Sequence, residues 1–296
     1  NNRIPAQPLA APGSLPLDES YMDSLQWFYI TTERSGAYGA DTDPEDRAAP
    51  APGRRGAAGN DVAHGAGEGP RAAGRYAGEL PDLARPDGTL ARQGHVYDEV
   101  RFAPQLHTRQ ALCQQDAIEA VLAGRARALR AFPDYRCGIL LCCMCIGPET
   151  VNMQENLQTV RLTRQYLGSG VVGLDLAGAE GIVPLENFHP IFDLARELSL
   201  PFTCHAGDSQ GPETVRAALD FGAKRIGHGH HIYDDPTLWP RAIRQGVTLE
   251  ICPTSNIQCK TQPSYALHPA KRLLDAGLRV TISTDNMTLA AVTLED

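Results

Sequence analysis

The sequence of 296 residues contains no uninterrupted apolar stretch long enough to cross a bilayer, and its first residues are polar and include proline. We therefore expect a cytoplasmic protein without a membrane partner. Positive charge is also scarce, since 27 Lys and Arg residues stand against 35 Asp and Glu residues and give a formal net charge of −8. An acidic chain of this kind binds phosphate backbones poorly. We therefore expect no nucleic-acid partner and a small neutral or cationic ligand, and the oligomeric state is left open.

Ile, Val and Phe are nearly absent from segment 35–93, which is rich in Ala, Gly, Arg, Pro and Asp. Such a composition cannot bury enough apolar surface to form a core, so we expect this segment to be poorly ordered. Two explanations compete, an insertion and a damaged reading frame that has replaced helices of the fold, and we favour the second. The chain also ends at 293–296, soon after its last strand-like run, so we expect the final helices of the fold to be missing.

Disulfide spacing is absent although the chain has eight cysteines. Most of them lie inside apolar, strand-like runs, which predicts buried reduced thiols. In the run 141–146, alternation places Cys143 and Cys145 on one face of a strand. A soft-metal site is one interpretation of that pair, and small hydrophobic side chains in a core strand are the interpretation we favour.

From residue 97 onward, short apolar runs alternate with amphipathic stretches, which is the pattern of repeated βα units. Seven runs predict strands, at 96–102, 138–144, 170–176, 200–204, 225–228, 247–252 and 278–283. Six stretches predict helices, at 114–131, 156–167, 190–198, 212–221, 237–245 and 269–276. Apolar strands joined by helices predict a parallel sheet. With one more strand near the N-terminus, the α/β chain is predicted to form a single domain over 1–296, a (β/α)₈ TIM barrel whose first strand and covering helices are degraded.

Polar and ionisable residues follow the last four predicted strands, at the barrel edge where such enzymes place their sites. These segments are 204–208, 227–231, 252–256 and 283–286. One histidine after a strand indicates a loop residue and one aspartate a helix cap, but four such endings in succession indicate a site. Imidazoles and carboxylates from different strands suit a zinc ion, and an acid and a base beside it support metal-assisted hydrolysis. The residues proposed for these tasks are His205, Asp208, His228 and Asp285.

Neighbouring residues of the same segments receive structural interpretations. His230 and His231 follow His228 and are interpreted as structural or wall residues. Ser255 and Asn256 are expected to bond the loop backbone and shape the site.

Longer motifs in these segments are similar to those of adenosine deaminases, a family of metal-dependent hydrolases. The motifs are His205-Ala-Gly-Asp208, Arg225-Ile-Gly-His-Gly229, Leu249-Glu-Ile-Cys-Pro-Thr-Ser-Asn256, Thr284-Asp-Asn286, Asp175-Leu-Ala-Gly178 and Glu99-Val-Arg-Phe-Ala-Pro104. The resemblance extends over residues 96–296. It implies an enzyme with a (β/α)₈ barrel and one zinc ion. Such an enzyme hydrolyses adenosine or deoxyadenosine to inosine or deoxyinosine and ammonia in purine salvage.

The resemblance also implies roles for individual residues at the metal. His205 and Asp285 match two zinc ligands of the family. Asp208 matches the acid that protonates purine N1, and His228 matches the residue that orients or deprotonates the zinc water. The family usually has glutamate at the position of Asp208, so the carboxyl here is one methylene shorter and loses reach for proton transfer.

Two further positions are matched to the purine substrate. Gly178 matches the backbone group that meets the purine ring. Asn286 matches the position whose side chain hydrogen-bonds purine N7, where the family frequently has aspartate.

The family's remaining zinc ligands are two histidines in a His-x-His-Leu-Asp-Gly-Ser pattern, which this sequence lacks. The nearest match places Pro8 and Ala10 at the histidine positions, and Pro12 at an aspartate expected to touch the sugar. Neither proline nor alanine ligates a metal. Because catalytic zinc sites generally use three protein ligands, we expect one zinc ion per chain, bound weakly or absent, and impaired activity.

Two alternatives stay open. The first is a relative that binds purine nucleosides without turning them over. The second is a deaminase of adenine, a modified adenosine or an adenosine nucleotide, because Asn286 and aspartate meet N7 with different protonation demands. A nucleic-acid deaminase is set aside, because the chain lacks the His-x-Glu and Pro-Cys-x-x-Cys signature and a basic groove.

Overall fold

The computed structural model describes residues 31–33, 97–108, 112–147, 150–286 and 292. Three sequence expectations fall on other residues: the first strand near 8–10, the biased segment 35–93 and the C-terminal residues 293–296. They lie outside the described part of the chain.

Strands and helices alternate through the described residues. The strands are β1 (Thr31–Glu33), β2 (Tyr97–Phe102), β3 (Arg136–Cys145), β4 (Val171–Gly178), β5 (Thr203–Ala206), β6 (Arg225–His228), β7 (Thr248–Ile251) and β8 (Arg279–Ile282). The α-helices are α1 (Gln114–Ala131), α2 (Met153–Tyr166), α3 (His189–Glu197), α4 (Pro212–Phe221), α5 (Trp239–Gln245), α6 (Pro253–Gln258) and α7 (Ala270–Asp275). The seven predicted strands and six predicted helices are confirmed, and α6 is a helix that the sequence pattern did not predict.

Strands β2 to β8 follow one another in space in chain order. They lie in two four-stranded sheets, β1–β4 and β5–β8, in which neighbours from β2 onward pair in parallel. A parallel bridge between Leu174 and Phe202 joins the two sheets. Parallel strands connected in sequence through helices are the winding of a (β/α)₈ barrel. Strand β1 pairs antiparallel with β2, so it is not the parallel first strand that the sequence predicts.

Burial on both faces explains why the strands are so apolar. Every residue of β3 after Arg136 is buried, because one face packs inside the barrel and the other under helices. Between α3 and α4, the rings of Phe192 and Phe221 stack with centroids 4.4 Å apart. Helix α4 has Pro212 in its first turn and ends at Gly222 in the left-handed region, which fixes where the chain turns toward the next strand.

Two composition-based expectations are tested by the described residues. All eight cysteines are free, and six of them are buried, which confirms the prediction of buried reduced thiols for those six. In the described part of the chain, no helix combines the length and the hydrophobicity needed to cross a membrane.

Candidate active site at the strand ends

Four ionisable side chains meet at the C-terminal ends of β5, β6 and β8. His205 lies near the end of β5, His228 is the last residue of β6, and Asp285 follows β8. The rings of His205 and His228 are 5.3 Å apart between centroids. Nε2 of His228 is 3.9 Å from Oδ2 of Asp285, and its Nδ1 is 3.4 Å from Oδ1 of Asp208. All four residues nominated from the sequence are therefore neighbours in the fold.

A buried carboxylate on β4 sets the orientation of His205. Nδ1 of His205 lies 3.0 Å from Oδ2 of Asp175, and Arg101 donates to the same oxygen at 3.0 Å. Burial opposes ionisation of Asp175, but the charges of His205 and Arg101 hold the pKa of its carboxyl well below the usual range. Burial likewise lowers the pKa of His205, and Asp175 outweighs it and raises the value. Because Nδ1 is held, Nε2 is the nitrogen of His205 available to a ligand.

Arg101 extends this network to the next sheet. Its second terminal nitrogen donates to Oε2 of Glu250 at 3.0 Å, and both side chains are buried. Thr203 also donates to that oxygen at 3.2 Å. A buried guanidinium between two carboxylates ties β2 to β4 and β7, and it keeps Asp175 charged beneath His205.

The loop that carries Asp208 is held by Glu180, which follows β4. The carboxylate of Glu180 accepts the backbone N–H groups of residues 207–210 at 2.6–3.1 Å and the hydroxyl of Thr214 at 2.7 Å. Burial opposes ionisation of Glu180, but these hydrogen bonds lower its pKa. A charged acceptor inside a ring of N–H donors fixes the backbone of the loop, and with it the place of Asp208.

Two side chains of α6 connect the candidate residues to one another. Ser255 donates to Oδ2 of Asp285 at 2.6 Å. Nδ2 of Asn256 donates to Oδ1 of Asp208 at 2.7 Å and lies 3.0 Å from Nδ1 of His228. The sequence predicts bonds to the loop backbone for these two residues, whereas the structure adds direct contacts with the ionisable groups of the site.

The backbone at the site adopts conformations that most residues avoid. His228 and Asp285 have φ values of 59° and 60°, in the left-handed region that favours glycine. Non-glycine residues in such conformations concentrate at functional sites, where the surrounding structure holds them. Gly178 ends β4 with φ of 119°, and a Cβ added there would lie 2.4 Å from the carbonyl oxygen of Cys145, so only glycine fits. Asn286, beside Asp285, is buried at the same edge.

One group of side chains among the described residues has the donor types and spacing of a metal site. His228, Cys252 and Asp285 are buried, and each offers a ligand atom such that the three atoms lie within 4.8 Å of one another. Imidazole, thiolate and carboxylate are the ligands that zinc takes in proteins. The residues at the strand ends therefore fit a divalent cation, although the sequence names only Asp285 of these three as a ligand.

Residues 87–296 match the family model for adenosine deaminase. The chain belongs to the adenosine deaminase family. The adenosine deaminase of Haemophilus ducreyi is 42% identical to it over 209 residues, which are 70% of this chain and 60% of that relative. The enzyme of Enterococcus faecalis is 38% identical over 204 residues, covering 69% of this chain and 59% of that relative. The chain thus spans about 60% of the length of these curated relatives.

Solved structures confirm the barrel fold predicted from the sequence. Adenine deaminase from Arthrobacter aurescens matches with a TM-score of 0.64 and 21% identity, over 76% of this chain and 65% of that chain. The N6-methyl-AMP deaminase of Arabidopsis thaliana matches with a TM-score of 0.59 and 26% identity, over 67% and 59%. An amidohydrolase from Burkholderia ambifaria, described with bound Zn, has a TM-score of 0.61 and 23% identity over 71% and 61%.

The structure adds four residues that sequence reasoning left out of the site. Asp175 orients His205 and is supported by Arg101. Glu180 holds the loop of Asp208, and Cys252 contributes to the metal-like group. Glu180 carries a signal that the strand-end rule would have found, since it is an acidic residue two positions after the end of β4. Cys252 also follows a strand directly, but its thiol was counted with the core cysteines.

Proposed function

We propose that this chain catalyses the hydrolytic deamination of adenosine or deoxyadenosine to inosine or deoxyinosine and ammonia, a step of purine salvage, in the cytoplasm and with one zinc ion. The observation that carries the proposal is the meeting of His205, Asp208, His228 and Asp285 at the strand ends. Membership of the adenosine deaminase family supports the same activity.

In this proposal His205 and Asp285 hold the zinc ion. Nε2 of His205 is the free ring nitrogen because Asp175 occupies Nδ1, and Ser255 orients the carboxylate of Asp285 by donating to its Oδ2. A bound zinc ion supplies a Lewis acid that lowers the pKa of a water molecule and so provides the nucleophile. Carboxylate-bound imidazoles and hydroxyl-bound carboxylates are the outer contacts that fix metal ligands.

Proton transfer is assigned to the other two side chains. Asp208 is the acid that protonates purine N1, and Asn256 and the loop bonds of Glu180 hold it in place. His228 orients the attacking water or accepts its proton through Nε2, the nitrogen that faces Asp285. Dividing acid and base between separate groups lets both act while the amino group at C6 becomes ammonia.

The purine is placed by Gly178 and Asn286. The absence of a side chain at Gly178 opens the backbone at the end of β4 to the ring, and only glycine fits its conformation. Purine N7 is an acceptor, so the amide NH₂ of Asn286 donates to it at any pH, whereas an aspartate must first be protonated.

The test is turnover of adenosine by the chain, followed by chromatographic separation of inosine, with bound metal measured by elemental analysis. We expect inosine production that scales with zinc content and is abolished in His205→Ala and Asp285→Ala. Activity unchanged in both variants would remove the metal assignment. Nucleoside binding without zinc and without inosine would instead support the non-catalytic relative.

A deaminase of another adenine-containing compound is the second candidate. Asn286 in place of the family's frequent aspartate favours it, because the change alters the group that meets N7. Two of the solved proteins with this fold are named for adenine and for N6-methyl-AMP. Comparing kcat/KM for adenosine, deoxyadenosine, adenine, AMP and N6-methyl-AMP decides between the candidates.

A further inference from the structure

Cys252 occupies a position in the site that its role as a core thiol does not explain. It follows β7 directly and precedes α6, so it stands at a strand end like His228 and Asp285. Its Sγ is a potential ligand atom that lies within 4.8 Å of ligand atoms of both residues. Three consecutive strands, β6 to β8, therefore each contribute one donor to the same small volume.

The other buried cysteines do not share this environment. Cys143 is fully buried in β3, and its Sγ donates to the backbone oxygen of Asn156 at 3.4 Å. Cys252 makes an equivalent bond to the backbone oxygen of Glu250 at 3.4 Å, yet it alone belongs to a metal-like group within the part of the chain that the structure describes. The weak backbone bond therefore does not distinguish the two thiols, and the convergence with His228 and Asp285 does.

Cys252 matters because the chain offers few other metal ligands. The sequence has no His-x-His-Leu-Asp-Gly-Ser pattern, so of the ligand positions inferred from the family only His205 and Asp285 carry side chains that bind metal. Two protein ligands do not make a good zinc site, whereas three or four do. We propose that Cys252 is a sulfur ligand of the catalytic cation, a third protein donor beside His205 and Asp285, while His228 stays next to the site as the group that handles the proton of the water.

The inference rests on the proposed function only in taking this cation to be the zinc of that proposal. Coordination forms a sulfur–metal bond, breaks the S–H bond of Cys252 and releases its proton to solvent. Thiolate donors select soft or borderline ions, so the site takes Zn²⁺, Co²⁺ or Cd²⁺ in preference to Mg²⁺ or Mn²⁺.

The test uses the full chain, stripped of metal and titrated with Co²⁺ and with Zn²⁺ against a chromogenic chelator. We expect one cation per chain, a thiolate-to-cobalt charge-transfer band, and a sulfur neighbour about 2.3 Å from zinc in X-ray absorption. Cys252→Ser should lose the band and bind zinc more than about 100-fold more weakly, since losing even an outer contact costs 10- to 100-fold. The matched control, Cys143→Ser, removes another buried thiol that lies outside the metal-like group and should keep both the band and the affinity.

Several results would overturn the inference: no cation bound, cobalt bound without a thiolate band, or equal affinities for Cys252→Ser and the parent chain. The absorption measurement on the parent chain decides the question even if Cys252→Ser does not fold. These measurements report metal binding and do not depend on turnover of a substrate. A sulfur-bound cation without inosine production refutes the proposed function alone, and inosine production with a sulfur-free cation refutes this inference alone.

Discussion

Replacing Glu180 by glutamine keeps the shape of the side chain and removes the charge that holds the loop of Asp208. The carboxylate has two oxygens that together accept the N–H groups of residues 207–210 and the hydroxyl of Thr214. Glutamine offers one oxygen, and its amide NH₂ faces the remaining donors. At least two of these hydrogen bonds are therefore lost in Glu180→Gln.

The expected magnitude follows from the number of bonds lost. A hydrogen bond to a charged acceptor contributes about 1.5 kcal/mol at the low end of its range, so losing two lowers the free energy of loop opening by about 3 kcal/mol. That difference corresponds to more than about 100-fold faster amide exchange at residues 207–210. Deamination should fall as well, because the place of Asp208 is no longer fixed.

Hydrogen–deuterium exchange at residues 207–210 measures the effect directly. The matched control is Glu213→Gln, which alters an exposed carboxylate that, within the described residues, accepts only the N–H of Gly211 at 2.9 Å. This change should alter stability by less than about 0.5 kcal/mol. Equal exchange in the parent chain and Glu180→Gln would refute the reasoning.

The same substitution has a predictable pH dependence. The pKa of Glu180 is lowered in the folded chain, so its stabilisation is fully present above its unfolded value of about 4.3 and is lost as the pH falls through the folded value. The difference between the parent chain and Glu180→Gln should therefore be full at neutral pH and shrink in acid.

Three further substitutions test other parts of the account. Asp175→Asn removes the charge that orients His205, so zinc affinity in a chelator competition should fall about 10- to 100-fold, and unchanged affinity would contradict the orienting role. His230 is buried, and neither of its ring nitrogens has a hydrogen-bond partner within the described residues. Burial, followed by the charge of neighbouring histidines, lowers the pKa of its imidazole to about 2. Below a pH of about 6.5, the imidazole of His230 binds a proton in the unfolded chain but not in the folded chain. In urea unfolding, the parent chain should therefore lose about 1.4 kcal/mol of stability for each pH unit of acidification, relative to His230→Leu. Equal losses of stability in the two chains would contradict a neutral, buried ring at His230. Asp208→Glu restores the family's longer side chain and should raise kcat about tenfold at unchanged zinc content; no gain would show that reach does not limit the reaction.

Local sequence patterns predicted most of the helices and strands. Helix α1 occupies the residues predicted for it, because an amphipathic stretch of that length shows its periodicity clearly. Helix α6 has only six residues, fewer than two turns, so no periodicity could reveal it. The antiparallel strand β1 has only three residues, and its pairing with β2 depends on contacts that a local pattern does not contain.

The sequence likewise predicts some residues of the candidate site and misses others. Residues in motifs after strands, such as His205 and Asp285, were named from the sequence, because the fold brings parallel strand ends to one edge. The support beneath them was not, since Arg101 bonds residues 74 and 149 positions away and nothing local marks those pairs. Cys252 was overlooked because a thiol in an apolar run resembles any other core cysteine until the neighbouring strands are in place.

Anomalous diffraction at the zinc absorption edge, on crystals of the chain grown with Zn²⁺, tests the central claim most directly. The account predicts one strong peak at the strand ends, about 2.0–2.3 Å from ligand atoms of His205 and Asp285. A zinc peak bound elsewhere on the chain, or none between these side chains, would contradict it.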